Sequence, residues 1–346
     1  MKYSVSMIRE FGISVFMKAG LEKKEAEISV ESLIQADLRG IKTHGMTHLI
    51  GYCDRLDKGT AAGCCEMELK ETSASSIVVD AKHAVGMSAA VKVMERCIQK
   101  AKISGSCFAT VRNGCHYGYG AYIPMKAAEQ GMIGFCIANT PPLVVPFGGA
   151  EPMLGTNPIS IVVPAGKYPP LVLDMATSIV AKGKISLALK EGKTIPIGWA
   201  VDKDGNPTTD PAAADVGALL PMGGPKGYGL ALLVSLLSSA LAGGDIDLDI
   251  PRFWEQTECP TNIGYFMGCI DISKFVDLEI FQDRADDLFR IIKSSRAAPG
   301  FSEVMIPGEL ELNATNKGLE EGMELSEITL NNFRELSKRY GLKYPF

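Results

Sequence analysis

Cys107-Phe-Ala-Thr-Val-Arg-Asn-Gly-Cys-His-Tyr-Gly-Tyr-Gly120 and Ile133-Gly-Phe-Cys-Ile-Ala138 frame the decisive stretch of this 346-residue chain. Each holds a short run of apolar and β-branched residues, and an alanine-bearing helical pattern over about 120–130 lies between them, which predicts strand, helix, strand. A glycine-rich loop leaves the first strand, and its backbone amides and the helix start beyond it suit an anion. Its spacing is not G-x-G-x-x-G, so the βαβ dinucleotide fingerprint is missing. Outward from here the alternation continues. Ile77-Val-Val79 precedes a helical pattern over about 86–102, and Ile159-Ser-Ile-Val-Val-Pro164 and Leu171-Val-Leu-Asp174 read as two further buried strands. Strands that alternate with helices predict an α/β layer.

Both ends of the chain read as helix. Ile8, Phe11, Val15 and Met17 make one apolar face over 6–18, stopped by Gly20. Ala26, Val30, Leu33 and Ile34 do the same in a second helix, and further helices are expected over 230–241, 278–294 and 328–340. Apolar residues make up 46% and charged residues 22%, the balance of a folded globular chain. A net charge of −5 with scattered Lys and Arg leaves no footprint for nucleic acid. No apolar run spans a bilayer and no leader pattern opens the sequence, so a cytoplasmic protein without membrane association is expected. Nine cysteines without a C-x-x-C pair predict reduced thiols rather than disulfides or a zinc ribbon.

His44 sits in Lys42-Thr-His-Gly-Met46, just after a helix that is expected to end near Gly40. A protonated imidazole beside a carbonyl under reduction supplies the proton for the developing oxyanion. At a helix end, a lone histidine otherwise serves as a cap. His48 lies four residues on, the spacing of a shared helix face. Gly45 weakens helix there and no third ligand follows, so no metal is expected. Asp174 closes an apolar strand and needs polar partners, either in the next turn or at an imidazole. Thr140, Thr156 and Asn157 lie in Pro- and Gly-rich turns, and Lys226 stands where a helix start would face phosphate.

Asp37-Leu-Arg-Gly-Ile-Lys-Thr-His-Gly45, Gly155-Thr-Asn-Pro158, Leu173-Asp-Met-Ala-Thr177 and Gly224-Pro-Lys-Gly-Tyr-Gly229, in that order, resemble the malate/L-lactate dehydrogenase family over about residues 30–310. The resemblance implies an α/β, non-Rossmann NAD(P)-binding fold with mixed sheets. Residues 1–73 would form a helical module packing with 318–346, residues 74–120 and 290–317 one α/β lobe, and residues 121–289 the cofactor-binding lobe. It also implies a homodimer, with the site where the lobes and a second subunit meet. The roles it carries over begin with His44 as the proton-transferring group, oriented by Thr43 and Asp174. His116 would be a cofactor contact and alternate base, since the ureidoglycolate-oxidising branch uses this histidine as proton acceptor. NAD or NADP would lie against His116, Tyr117, Gly118, Gly120, Thr140, Asp174, Met175, Ala176, Lys226, Gly308 and Glu309.

Substrate contacts implied by the resemblance are His48, Tyr52, Thr156 and Asn157. The family commonly shows Ser-His-Gly where this chain has Thr43-His-Gly, a change that keeps the hydroxyl. It usually carries arginine at position 48 to grip the substrate carboxylate. His48 offers at most two hydrogen bonds, and charge only when protonated, which turns attention to Arg39 and Arg112 as alternative cations. The implied activity is an NAD(P)-dependent 2-hydroxy-acid dehydrogenase, or 2-oxo-acid reductase, with malate and oxaloacetate as the leading pair. Ureidoglycolate or L-lactate oxidation is the alternative within the family, and a binding protein without turnover is the alternative outside it.

Overall fold

Chain order in the computed structural model, which describes residues 2–346, opens with β1 (Lys2–Tyr3), α1 (Val5–Lys18), α2 (Lys23–Leu38) and α3 (Leu49–Asp57). It then runs β2 (Glu68–Ser73), β3 (Ser76–Asp80), α4 (Gly86–Ser104), β4 (Ser106–Gly114), α5 (Tyr122–Ala128), β5 (Met132–Ala138), β6 (Ile159–Val163) and β7 (Leu171–Met175). The remainder is α6 (Lys182–Glu191), β8 (Ala200–Val201), β9 (Pro207–Thr208), α7 (Pro211–Val216), β10 (Ala218–Leu219), α8 (Pro225–Ser235), β11 (Ile263–Asp271), α9 (Leu278–Lys293), α10 (Glu309–Glu321), β12 (Met323–Glu324) and α11 (Glu327–Tyr340).

Seven strands make one mixed sheet in the order β2-β3-β4-β11-β5-β6-β7. Only β3 and β4 run parallel, joined by the long helix α4, the crossover that parallel pairing demands. The centre of the sheet is β11, where Met267 faces Ala109 on one side and Cys136 on the other. Its sequence is almost continuously buried, as a strand covered on both faces must be. The expected lobe boundary at 120/121 therefore falls inside a single sheet: β4 and β5, on its two sides, both pair with β11 and share one core with α4.

A second core joins the two ends of the chain. Phe11 on α1 packs against Phe333 on α11 with ring centroids 5.1 Å apart, and β1 pairs with β12. A third core gathers Val144, Leu154, Ile185 and Leu219 beneath the small sheet β10-β8-β9. The helix expected over 230–241 begins earlier, at Pro225, because proline suits a first helical position and Gly224 turns the chain into it with φ 65°. Its end widens into a π-helical turn over Leu236–Leu241. Among the described residues no helix is long and apolar enough to cross a membrane.

That π-helical turn presses on β11. A Cβ at Gly264 would come within 1.7 Å of the Ser238 carbonyl oxygen, which is backbone and cannot rotate away. Gly264→Ala is expected to cost at least about 1–3 kcal/mol, the range of overpacked cores. Urea unfolding checks it, and an unchanged midpoint would show that the turn is free to lift.

Candidate active site

Four aromatic or imidazole rings from distant segments converge on one cluster. His44 lies in a short turn after α2, and its ring stacks on His116 at 5.6 Å with 21° between planes. His48 stacks on Trp254 at 4.1 Å, and Trp254 meets His116 edge-on at 5.2 Å. The loop bearing His44 is held from below by Asp37 in the last turn of α2. The Asp37 carboxylate accepts the Met46 N–H at 2.7 Å and fills the space where a Cβ at Gly45 would sit, 2.2 Å away. Burial raises the Asp37 carboxyl to about 6, against the opposing pull of the Met46 N–H and Lys42.

Each histidine has a defined set of partners. His44 Nδ1 lies 2.9 Å from Thr43 Oγ1, and its Nε2 has no protein partner among the described residues. Burial, and then the neighbouring His48, lower its pKa from 6.5 to about 4, so the ring is neutral near pH 7. His48 Nε2 donates to the Thr43 carbonyl at 2.7 Å, and burial lowers its pKa too. His116 Nδ1 receives the Tyr52 hydroxyl at 2.7 Å and the Gly118 N–H at 3.2 Å. Tyr52, expected at the substrate, is 1% exposed and lies beneath His116 as its support.

Arg55 was not marked in the sequence, yet it organises this cluster. Fully buried, its guanidinium donates to the carbonyls of Phe253, Gln256 and Cys259 and lies 4.1 Å from the Phe253 ring. Four hydrogen bonds into one segment clamp residues 253–259 against α3, with Gly51 opening the room for the Trp254 indole. Arg55 follows Tyr52 by three positions and His48 by seven, the spacing of one helix face, and that was the available signal.

A second wall is stitched from loops. Thr140 Oγ1 accepts the Thr156 N–H at 2.9 Å, and the Thr156 carbonyl accepts both the N–H and the hydroxyl of Thr177. The Thr177 carbonyl accepts the Met222 N–H, and the Met222 carbonyl accepts the Gly227 N–H at the start of α8. This chain of bonds runs from Thr140 through Thr156, Thr177 and Met222 to Gly227, the residue after Lys226. Asn157 differs from its expected role: its amide is buried and donates to Ala231, Ser235 and Asp247, so it braces the loop. Gly308 lies on β7, where the Pro307 carbonyl accepts the Val172 N–H and φ is 101°. Glu309 is bound to Lys293 and to the Ile306 N–H.

Asp174 joins the two walls, though not as expected. Its carboxylate accepts from the Ser160 hydroxyl and the Ala121 N–H, and no hydrogen bond to His44 is present. Burial raises its pKa, with Glu311 adding to the rise. Gly120 allows this approach, since a Cβ there would meet Ser160 Oγ at 2.3 Å. Tyr117 is buried against Tyr265 in the core, and Gly118 turns the chain with φ 73°. Arg112 pairs with Asp80 and is not free for a substrate, whereas Arg39, 6.0 Å from the Tyr119 ring, keeps Nε and Nη1 buried without a hydrogen-bond partner among the described residues.

Beside the second wall lies a cavity of about 490 Å³, lined by Phe147, Gly148, Gly149, Pro221, Gly223 and Gly224. Lys226 stands exposed at the adjoining N-terminus of α8 with no ion-pair partner among the described residues. Glycine-bounded space, a free ammonium and a helix N-terminus together fit a diphosphate-bearing dinucleotide. No group of three or more metal-ligating side chains occurs among the described residues.

A family model described as malate/L-lactate dehydrogenase matches residues 3–334. The chain is 36% identical to malate dehydrogenase of Pyrococcus horikoshii over 341 residues, 96% of this chain and 94% of that protein. It is 35% identical to ureidoglycolate dehydrogenase (NAD(+)) of Escherichia coli over 325 residues, 94% of this chain and 93% of that protein. The solved structure of sulfolactate dehydrogenase from Methanocaldococcus jannaschii superposes with a TM-score of 0.94 at 37% identity, over 99% of this chain and 98% of that one.

Arg55→Met removes the clamp while keeping much of the side-chain volume. In a Trp199→Phe background, the emission of Trp254 is expected to shift to longer wavelength as the indole leaves His48. Stability is expected to fall by about 2–4 kcal/mol as buried carbonyls lose their donors. Unchanged emission and stability would show that segment 253–259 holds its place without the guanidinium.

Proposed function

The chain belongs to the malate/L-lactate dehydrogenase family, and from that footing we propose that it interconverts malate and oxaloacetate. It is an oxidoreductase of the CH–OH group of 2-hydroxy acids, working with NAD or NADP. The observation that carries the reading is the His44–His116 stack, with Thr43 Oγ1 on one nitrogen of His44 and no protein partner on the other. Similarity to a malate dehydrogenase along 96% of the chain supports malate as the substrate. Similarity to a ureidoglycolate dehydrogenase along 94% of the chain favours ureidoglycolate as the second reading.

A bound nicotinamide would supply the acceptor, or the donor, for the hydride at substrate C2. The neutral His44 ring, with Nδ1–H donated to Thr43 Oγ1, takes the hydroxyl proton at Nε2 during oxidation and returns it during reduction. Asp37 holds the loop that presents this ring. Lys226 and the α8 N-terminus are assigned to the cofactor's phosphates, and Asp174, Met175 and Ala176 to its nicotinamide end.

His44→Ala is expected to lower kcat by at least about 100-fold while cofactor affinity stays within about threefold. Near-normal turnover would discard the assignment. Because the His44 pKa lies near 4 rather than 6.5, kcat/KM for oxidation should hold as pH falls to about 5 and decline only below that, whereas reduction should speed up as protonated ring accumulates. Steady-state profiles with malate, ureidoglycolate and lactate test both this and the substrate.

His48 is neutral near pH 7 and offers no cation to a carboxylate. His48→Arg would place a guanidinium on the Trp254 face and present a fork to the substrate. KM for oxaloacetate is expected to fall by about 3–10-fold, roughly 1 kcal/mol. An unchanged or higher KM would mean that the carboxylate is held elsewhere.

A further inference from the structure

We propose that His116 is a fixed, neutral hydrogen-bond donor that presents Nε2–H to the reacting substrate oxygen, and that it is not the group that takes up the proton. This rests on the dehydrogenase reading above and divides the labour between the two stacked histidines. Three features of the structure carry it.

The first is the Gly118 N–H, which lies 3.2 Å from His116 Nδ1 and can only donate. A nitrogen that accepts a main-chain N–H holds no hydrogen itself, so the single proton of the neutral ring resides on Nε2. The second is Tyr52, whose hydroxyl lies 2.7 Å from the same Nδ1 and, with the tautomer so fixed, donates to it. Tyr52 is locked in place, buried against Phe253 and Trp254 at centroid distances of 5.6 Å and 5.3 Å. For Nε2 to become a base, the ring proton would have to move to Nδ1 and face the Gly118 N–H. That would lose a main-chain hydrogen bond that is built into the turn by the positive φ of Gly118.

The third feature is the setting of the ring. The ring is buried, which opposes a second proton most, and His44 from the turn after α2, His48 at the start of α3 and Arg55 within α3 each add to that opposition. The stacked partner has the opposite polarity: His44 can give its Nδ1–H to Thr43 Oγ1, which leaves Nε2 with a lone pair. In oxidation the substrate O–H bond breaks, its proton passes to His44 Nε2, and the hydride leaves C2 for the cofactor. The proton on His116 Nε2 stays where it is and stabilises the oxyanion character that develops on the substrate oxygen. Tyr52 and Gly118 are positioning groups for this donor.

Two measurements on the full chain decide it. In protein labelled with ¹⁵N-histidine, His116 is expected to show a pyridine-type Nδ1 and a proton-bearing Nε2, unchanged from pH 5 to pH 8. In kinetics, His116→Gln, whose amide N–H reaches the same position, is expected to keep kcat at least about 10-fold above His116→Ala, because removing one oxyanion donor costs about 10²–10³-fold. A proton found on Nδ1, or a Gln variant no better than the Ala variant, would overturn the assignment. Tyr52→Phe, which leaves the Gly118 donor in place, is expected to keep the tautomer and serves if the Gln variant fails to fold. Should no 2-hydroxy acid be turned over, the resonances still decide the tautomer, so the two readings fail separately.

Discussion

Strand β11 is the constraint on which the rest of the molecule depends. It arrives more than 120 residues after β5 and enters the sheet between β4 and β5, which closes one continuous core. The residues that lead into it and its start also fasten the loop that carries His116. The Tyr265 hydroxyl donates to the Cys115 carbonyl, the Thr261 hydroxyl donates to the Gly114 carbonyl, and Asn262 accepts the Asn113 N–H. Gly114 is bare because a Cβ there would strike the Tyr265 ring. The segment just before β11 is the one that Arg55 grips and that carries Trp254 to His48. One strand insertion therefore brings together three parts of the site that lie far apart in sequence.

Burial then sets the chemistry. Three imidazoles packed against aromatic rings lose hydration and are driven towards the neutral state; His48 adds to the pressure on His44, and both add to that on His116. The carboxylate beneath them shifts the other way. Asp37, raised to about 6, contributes stability that is complete below pH 3.8 and is lost as pH rises through about 6. His44, lowered to about 4, contributes stability that is present above pH 6.5 and is lost as pH falls through about 4. The two slopes oppose each other between about pH 4 and 6. At these two groups the dependence of stability on acidity therefore partly cancels in that window.

Chemistry-bearing segments were legible in the sequence because their composition is unusual locally. Glycine at 45, 118 and 120 is demanded by contacts or by positive φ that any side chain would spoil, and such positions leave a visible mark. Helices α1, α2, α4, α9 and α11 were legible for a different reason, the period of their apolar faces. The central strand β11 escaped notice although its residues are apolar, because a short fully buried run carries no alternation that separates it from a helix segment. Helix α10, whose one buried residue is Thr315, offered no apolar stripe either.

Sequence by itself determined the class of fold, the family, the net charge of −5, and the identity of His44, His116 and Lys226 as candidates. Each of these depends on residue type and near-neighbour spacing, which a linear chain displays directly. Only the tertiary structure decided what the candidates touch: Tyr52 lies under His116 at hydrogen-bond distance, Asn157 braces a loop, and Asp174 joins Ser160 and Ala121 instead of His44. Hydrogen bonds and burial are relations between segments brought together by strand pairing. Which rings pack on the imidazoles is decided by the segment just before β11, which carries Trp254 to His48 and His116, and no spacing along the chain encodes it.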